Sequence, residues 1–390
     1  MISQLSRLIT FALALVVSAC SASSGPSPVL RTAPSVRVAV VDRAATGKVA
    51  KAPPRRTLSV RRIQIQDPDY VQTVCAGRAP DAVHPFGTMF AHTERELVEI
   101  DLKSGAVLQR VTPPADENYQ RSVAFDGTHV LLATGGLMRT VLLRVFDARL
   151  RMTQELPLRE GYFPSVTTGA GLAFVAFVDW GRETTTAMAI DPDTATVLAH
   201  HTIEGNLLNQ YQGQAQILFH LDRLYMATPG EELHMASLEP RTLRPVAAYK
   251  EHLFTRNLDD IPPQFAAATL LPAHDGVIVT LENDALELDP GLRPRRRLPQ
   301  IPEPHEWSRL AIDPESDAVL TSDGMLAPGP SGPFGQTVKL ETGFFNPESP
   351  KPSRRDLPVA AFFHGGRGFV VTVHPDVRIY VVEGYAMLAP

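Results

Sequence analysis

A chain of 390 residues with 44% hydrophobic and 20% charged residues has ample material for a packed core, which excludes a disordered composition. Its formal charge of -5 excludes the basic face on which nucleic-acid binding relies, so no nucleic acid is expected as a partner. Two cysteines exclude a disulfide-stapled scaffold, and the fold must be held by its core and its topology.

Residues 1–19 carry a positive start at Arg7, an apolar stretch from Leu8 to Val17 and the small residue Ala19 immediately before Cys20. So short an apolar stretch cannot span a bilayer, and the segment is an export signal. The box Val17-Ser18-Ala19-Cys20 resembles a bacterial lipoprotein signal, in which the cysteine becomes the acylated first residue of the mature chain. The other reading is an ordinary secretory signal cut elsewhere, with Cys20 incidental. Several acyl chains make such an anchor stable, whereas one holds only marginally. Ser21 after the cysteine, rather than Asp, implies the outer membrane by enterobacterial usage. Loss of residues 1–19 removes one arginine and no acid, taking the charge to -6. With Cys20 consumed, Cys75 is left alone as either a buried, inert thiol or a reactive one.

From Cys20 to Arg56 the chain is rich in Ser, Ala and Pro, with Pro26, Pro28, Pro34, Pro53 and Pro54 and little periodicity, which describes a disordered tether (20–56) ahead of the body (57–390). Within it, Val36 to Val41 has the composition of a strand that pairs with some partner.

The body repeats. An acidic residue closes an apolar alternating run at Asp101, Asp147, Asp191, Glu239, Asp289 and Glu383, with spacings of 46, 44, 48, 50 and then 94, the last being two periods around a degenerate copy near Leu326-Ala327-Pro328. Turns such as Asp126-Gly127, Asp275-Gly276 and Gly365-Gly366 precede β-rich runs in each unit. Four short strands per unit, no helical stretch and a beat of this length predict an all-β protein, a seven-bladed β-propeller. The blades are expected at 80–113, 120–157, 164–204, 213–250, 265–301, 307–341 and 357–390. Each blade has two apolar faces that only its neighbours can cover, which is the physical reason for a ring. Thr57 to Gln66 is expected to pair with the last blade, beside a short fourth strand at Tyr385 to Leu388, and so latch the ring. The alternative is an eighth, degenerate blade from residues 57–79.

The hairpins and the phrase Ile-Asp-Leu-Lys-Ser-Gly-Ala-Val at Ile100 to Val107 resemble the bacterial propeller repeats called PQQ-like and YVTN-like, over roughly residues 80–390. The resemblance implies the fold. Trp180 and Trp307 are the only tryptophans, so the tryptophan-docking ladder of quinoprotein blades is missing and no cofactor is expected. The sialidase Ser-x-Asp-x-Gly-x-Thr-Trp box and the paired Gly-His and Trp-Asp wording of WD repeats are missing too.

Radial symmetry turns equivalent positions into rings around a channel. The first ring precedes the innermost strands: Tyr119 with Arg121, Tyr162 with Phe163, Tyr211 with Gln212, Phe265 with Gln264, and Trp307 with His305 and Glu306. Rigid aromatics beside polar groups suit a protein or glycan contact, and the same aromatics also suit wedges between blades. The second ring, at the opposite mouth, comprises His84, Asp126, Thr168, His220, His274, Asp313 and His364. These types ligate Zn²⁺, yet Asp before Gly is also ordinary turn chemistry, and a wide ring separates its members; no metal site is assigned. The Arg293, Arg295, Arg296 and Arg297 run is expected to be a solvated hairpin end rather than an anion site. His200-His201 alternate to opposite faces, and Asp259-Asp260 lie in a solvated loop. No nucleophile elbow, zinc-protease helix or phosphate loop is present.

The expected function is therefore that of a lipid-anchored binding or scaffold module at the bacterial envelope, outer membrane favoured, with a protein or polysaccharide partner and no assigned catalytic residue. The alternative is a channel-mouth, metal-dependent hydrolase or lactonase using the second ring.

Overall fold

Continuous runs of Val, Ile, Leu and Phe bounded by Gly, Asp and Pro turns give strands buried on both faces, and strands are the regular elements among the described residues. The computed structural model describes residues 36–39, 57–65, 71–116, 118, 120–136, 138–179, 182, 184–204, 216–228, 232–252, 269–280, 285–298, 310–313, 315–316, 318–321, 325–327, 338–339, 357–373 and 377–383. The chain divides into two compact units, Met1–Thr32 and Ala33–Pro390, and every described residue belongs to the second.

Two strands come first, β1 (Val36–Ala39) and β2 (Thr57–Gln64). Blade I holds β3 (Val71–Ala76), β4 (Thr88–Thr93), β5 (Leu97–Asp101) and β6 (Val107–Val111). Blade II holds β7 (Gln120–Phe125), β8 (His129–Gly135), β9 (Thr140–Asp147) and β10 (Met152–Glu160). Blade III holds β11 (Tyr162–Gly169), β12 (Leu172–Asp179), β13 (Thr184–Asp191) and β14 (Thr196–Glu204). Blade IV holds β15 (Gln216–His220), β16 (Arg223–Thr228), β17 (Glu232–Leu238) and β18 (Pro245–His252). Blade V holds β19 (Thr269–Ala273), β20 (Gly276–Thr280), β21 (Ala285–Leu288) and β22 (Pro294–Arg297). Blade VI holds β23 (Leu310–Ile312), β24 (Val319–Thr321), β25 (Met325–Ala327) and β26 (Val338–Lys339). Last come β27 (Leu357–His364), β28 (Arg367–Val373) and β29 (Arg378–Glu383).

Seven blades, or eight, were expected, and the structure corrects that count: six four-stranded blades are present among the described residues. Where a further four-stranded unit was expected stands a five-stranded composite sheet of order β1-β2-β29-β28-β27, built by both ends of the described chain. The described residues of 57–79 form no eighth unit, because β2 belongs to the composite sheet and β3 is the inner strand of blade I. The first strands follow one another around the channel, β3 against β7, then β11, β15, β19, β23, β27 and back to β3.

The latch is antiparallel, with Ser59 opposite Glu383 and Gln64 opposite Arg378. β2 thus takes the fourth-strand place directly beside β29; the short strand expected at Tyr385 to Leu388 lies outside the described residues. β1, expected to seek a partner from inside the tether, pairs instead with β2, Val36 opposite Val60 and Ala39 opposite Thr57.

The core is a series of seams between sheets, which explains why the strands read as unbroken apolar runs. Phe90 and Leu97 of blade I pack with Val130, Leu132 and Phe146 of blade II, while Met89, Ala91 and Ile100 face the other way onto Ile63, Val371, Ile379 and Val381 of the composite sheet. Blade III behaves alike: Val175 and Phe177 face blade II, and Phe174 and Ala176 face blade IV. Each large side chain so buried contributes about 1.5–3 kcal/mol.

The recurring acid is a turn device. Asp101 Oδ1 accepts the backbone N–H of Lys103 (3.1 Å) and Ser104 (2.6 Å), Asp147 Oδ1 those of Arg149 and Arg151 (both 2.9 Å), and Asp191 Oδ1 those of Asp193 (2.9 Å) and Thr194 (3.2 Å). The hairpin after each acid then needs a left-handed residue: Gly105 in blade I, but Leu150 (φ 55°), Leu243 (φ 51°) and Leu292 (φ 59°) in blades II, IV and V. Left-handed backbone costs a non-glycine residue about 1–2 kcal/mol, and burial of each leucine to 2% exposure or less offsets it.

Candidate functional site

An up-and-down order of four strands puts the blade-to-blade connectors and the second-to-third loops at one mouth, and the first-to-second and third-to-fourth hairpins at the other. The two sequence rings fall at these opposite ends.

At the first mouth, Tyr119, Tyr211, Phe265 and Trp307 lie outside the described residues, as do Gln212, Gln264, His305 and Glu306. Tyr162 is described and is 4% exposed, packed with Phe174, Leu224 and Met226 between blades III and IV, so burial takes it off the accessible surface. Its neighbour Phe163 differs. A register shift between Tyr162 and Ser165 and a positive φ of 52° turn Phe163 out of the strand pattern and leave it half-buried, its ring 5.2 Å from that of Tyr162. The Phe163 N–H donates to Gln120 Oε1 (2.6 Å) across the seam to blade II.

Arg121 is largely committed to structure. Its Nη1 donates to Gln72 Oε1 of the adjacent inner strand (3.0 Å), and its Nη2 lies 3.8 Å from Asp116 Oδ1. Burial pulls the guanidinium below its ordinary range, and Asp116 opposes that pull. Asp116 organises a network that sequence reasoning missed: its Oδ2 accepts Arg144 Nη1 (2.7 Å) and Thr134 Oγ1 (3.1 Å), and its Oδ1 accepts the Asn118 N–H (3.0 Å). Arg144 Nε also donates to Glu155 Oε2 (2.7 Å). The available signal was Arg144 itself, a cation inside the apolar run Val141 to Phe146 and only 3% exposed.

His92, at the end of β4 and 2% exposed, borders this network. Burial first, and the charge of Arg121 second, push its imidazole down to about 4, against weaker opposition from the Thr93 backbone and Asp116. An imidazole that titrates near 6.5 when unfolded and about 4 when folded stabilises the fold fully above about pH 6.5 and loses that contribution as pH falls through about 4. The loss amounts to about 3 kcal/mol. Urea unfolding at pH 7, 6, 5 and 4 is expected to show this decline, and His92→Leu is expected to flatten it; equal slopes for parent and variant would refute the assignment.

At the second mouth three of the predicted ring members, His220, His364 and Thr168, bolt sheets together. His220 Nε2 donates to Ala273 O (2.6 Å), joining blades IV and V, and His364 Nε2 donates to Arg78 O (2.8 Å), joining the composite sheet to blade I. Thr168 Oγ1 donates to Phe125 O (3.2 Å) between blades III and II. His84 Nδ1 sits 2.8 Å from Asp101 Oδ2. Burial pushes the Asp101 carboxyl up, but Ser104 and His84 outweigh it and hold the group below the usual carboxylate range. Asp126 Oδ1 accepts the backbone N–H groups of Thr128 (2.7 Å) and His129 (2.6 Å), and His129 Nε2 reaches Asp193 of blade III at 3.3 Å. Asp313 Oδ2 accepts Ser316 Oγ (2.5 Å), and His274 stands exposed in the β19–β20 turn. Among the described residues, no three His, Cys, Asp or Glu side chains gather around one point that would hold a metal ion.

The remaining candidates are placed plainly. Three members of the basic run lie on or at the rim of blade V and are paired: Arg295 with Asp275 (2.5 Å), Arg296 with Glu287 (2.7 Å) and Arg297 with Glu251. Cys75 is on the inner strand β3 and packs beside Phe90 and Phe125, where burial pushes its thiol up to about 12 and keeps it protonated. Cys20 and Asp259-Asp260 lie outside the described residues.

No protein-family model matches the chain, and no curated protein matches it either. Solved structures do. The β-propeller domain of Cps50 (Swd1) from Myceliophteria thermophila superposes with a TM-score of 0.52 at 13% identity, covering 82% of this chain and 98% of that one. The WD40 β-propeller domain of Doa1 gives 0.52 at 11% identity, over 83% and 95% of the two chains. The Dos1 propeller gives 0.50 at 10% identity, over 80% and 77%. At such identities the likeness is one of fold, and the chain is a β-propeller.

Proposed function

We propose that this propeller is a binding scaffold of the bacterial envelope, anchored by acylation of Cys20 and engaging a protein or polysaccharide partner at its first mouth. The observation that carries the reading is the contrast between the mouths. At the second, His84, Thr168, His220 and His364 are spent on bonds that hold sheets together or brace a turn. At the first, a left-handed backbone, which costs energy, takes Phe163 out of the regular strand pattern and leaves its ring half-buried beside Tyr162, at the edge of the seam between blades III and IV. Aromatic anchors on rigid frames are typical of recognition surfaces. WD40-type propellers share the frame, which adds a fold-level analogy and no more.

The pairing of β1 shortens the tether. From Cys20 to Val36 the linker counts sixteen residues, against thirty-six from Cys20 to Arg56.

Crosslinking in intact cells tests the contact. Phe163→Ala, which removes a half-buried ring from the edge of the III–IV seam, is expected to cost about 1–2 kcal/mol, to keep a cooperative melt and to abolish capture of the parent's crosslinked partner, as is Trp307→Ala. Tyr162→Ala, by contrast, is expected to cost about 3–5 kcal/mol of stability through the cavity it leaves. Full capture by both mouth variants would refute the surface. The anchor is tested separately: Cys20→Ala is expected to stop palmitate incorporation and release the protein from the membrane fraction, and continued labelling would refute it.

A further inference from the structure

The outermost strand of each sheet exposes one row of backbone N–H and C=O groups, and such edges are ordinarily blunted by proline or by charge. Five of the six blades follow that rule. β6 carries Arg110, β10 carries Pro157 and Arg159, β18 carries Pro245 and Lys250, β22 carries Pro294 and three arginines, and β26 carries Lys339. The composite sheet ends in β1 with Arg37. β14 breaks the rule: Thr-Val-Leu-Ala-His-His-Thr-Ile-Glu is nine residues long, with no proline, lysine or arginine and a single acid at its end. It ends the sheet order of blade III, no described strand extends the ladder beyond it although β17 packs near its end, where His234 Nδ1 donates to Glu204 O (2.6 Å), and Val197 and Leu198 are 39% and 44% exposed.

We propose that β14 is a self-pairing edge, along which two copies of this chain join antiparallel about a two-fold axis at His201. The occupant follows from self-complementarity. Beyond the register shift opposite Ala189 and Ile190, residues Ala199 to Glu204 form a regular strand whose exposure alternates. Centring the axis on His201 keeps each face of the two sheets continuous and sets Ala199 opposite Ile203 and His200 opposite Thr202. Glu204 then falls outside the paired residues, so no like-charged pair arises. Burial, with the neighbouring His200 second, holds His201 below the ordinary imidazole range, which disfavours charge at the residue on the axis. Charge complementarity would be far poorer on the other edges, where each strand would set its own cations beside those of its copy. An isologous contact of this kind closes as a dimer and leaves the channel mouths free.

Sedimentation of the full chain across a concentration series is expected to show a reversible monomer–dimer equilibrium, weak as befits a strand-sized interface. The exposed pair Leu198→Lys with His200→Lys is expected to weaken dimerisation at least about tenfold while leaving the melting curve in place. Val246→Lys on the exposed face of β18 is expected to leave it unchanged. In a Cys20→Ala background treated with copper phenanthroline as oxidant, His201→Cys is expected to give a disulfide-linked dimer that the same background, with Cys75 alone, does not form. A parent that stays monomeric throughout the series would overturn the proposal, as would a dimer that survives both lysines or one that His201→Cys does not link.

Discussion

A chain beginning at Ile65 is expected to lose cooperative folding, whereas one beginning at Val40 is expected to melt within a few degrees of the parent. The two differ by β2, which supplies the ladder from Ser59 to Gln64 against β29 and lays Ile63 into the seam with Val371, Ile379 and Val381. Arg61 also lies 5.3 Å from the centre of the Phe86 ring, on which Arg367 stacks at 4.1 Å. One buried isoleucine contributes about 2–3 kcal/mol, the ladder bonds about 1 kcal/mol each, and the cation–π contact about 0.5–1 kcal/mol. Together these approach the whole stability of an ordinary domain, about 5–15 kcal/mol. Ile63→Asp places an unpaired carboxylate in the same seam and is expected to have a comparable effect without shortening the chain. Circular dichroism melting of the three proteins decides the matter: a chain beginning at Ile65 that keeps a sharp transition within a few degrees of the parent would show that the ring does not depend on its latch.

Asp116→Ala is expected to destabilise the protein by about 3–5 kcal/mol, the cost of leaving buried charge unpaired. The Arg144 side chain is 3% exposed and Asp116 9%, so neither can turn to water when its partner is removed. After the substitution Arg144 keeps only Glu155, whose side chain is 40% exposed, and the Asn118 N–H and Thr134 hydroxyl lose their acceptor. Arg144→Met alone is expected to cost less, and Asp116→Leu with Arg144→Met less than the sum of the singles, because apolar replacements of a buried pair remove both desolvation penalties. Urea unfolding midpoints of these variants and the parent test this. A loss below about 1 kcal/mol for Asp116→Ala would mean that water reaches the cluster.

How much of this was legible in the sequence depends on which forces act locally. The acidic marks were visible because each is a turn device whose oxygen binds backbone only two to four residues away, as Asp101, Asp147 and Asp191 do. Apolar alternation gave the strands, and the alternating run at Thr57 to Gln66 gave the latch. The blade count failed at the seam, since the periodicity carries no information about a sheet that two distant segments assemble jointly. Blade I was also placed too late. Its inner strand, Val71–Ala76, is separated from β4 by an eleven-residue connection holding Pro80 and Pro85, which hides the hairpin signal.

Of the first ring only Arg121, Tyr162 and Phe163 are among the described residues, and their side chains take different roles. Tyr162 and Phe163 are adjacent aromatics, and only the register shift and positive φ decide that the first enters the core while the second stays near the surface. Likewise His220 and His364 of the second ring find carbonyl partners on neighbouring sheets, Ala273 and Arg78, 53 and 286 residues away, contacts that leave no trace in local pattern.

The placement of β2 also sets an order of events during synthesis. The second strand to be made must wait, edge bare, until β29 emerges more than three hundred residues later, since its only other described neighbour, β1, is four residues long. Closure of such distant ends is slow, because the entropy of the long loop is lost before the contact rewards it. Until then the nascent disc is an open arc with one sticky strand at its leading end. A holding chaperone that shields Thr57–Gln64 would act on the step at which this protein is most exposed to misassembly.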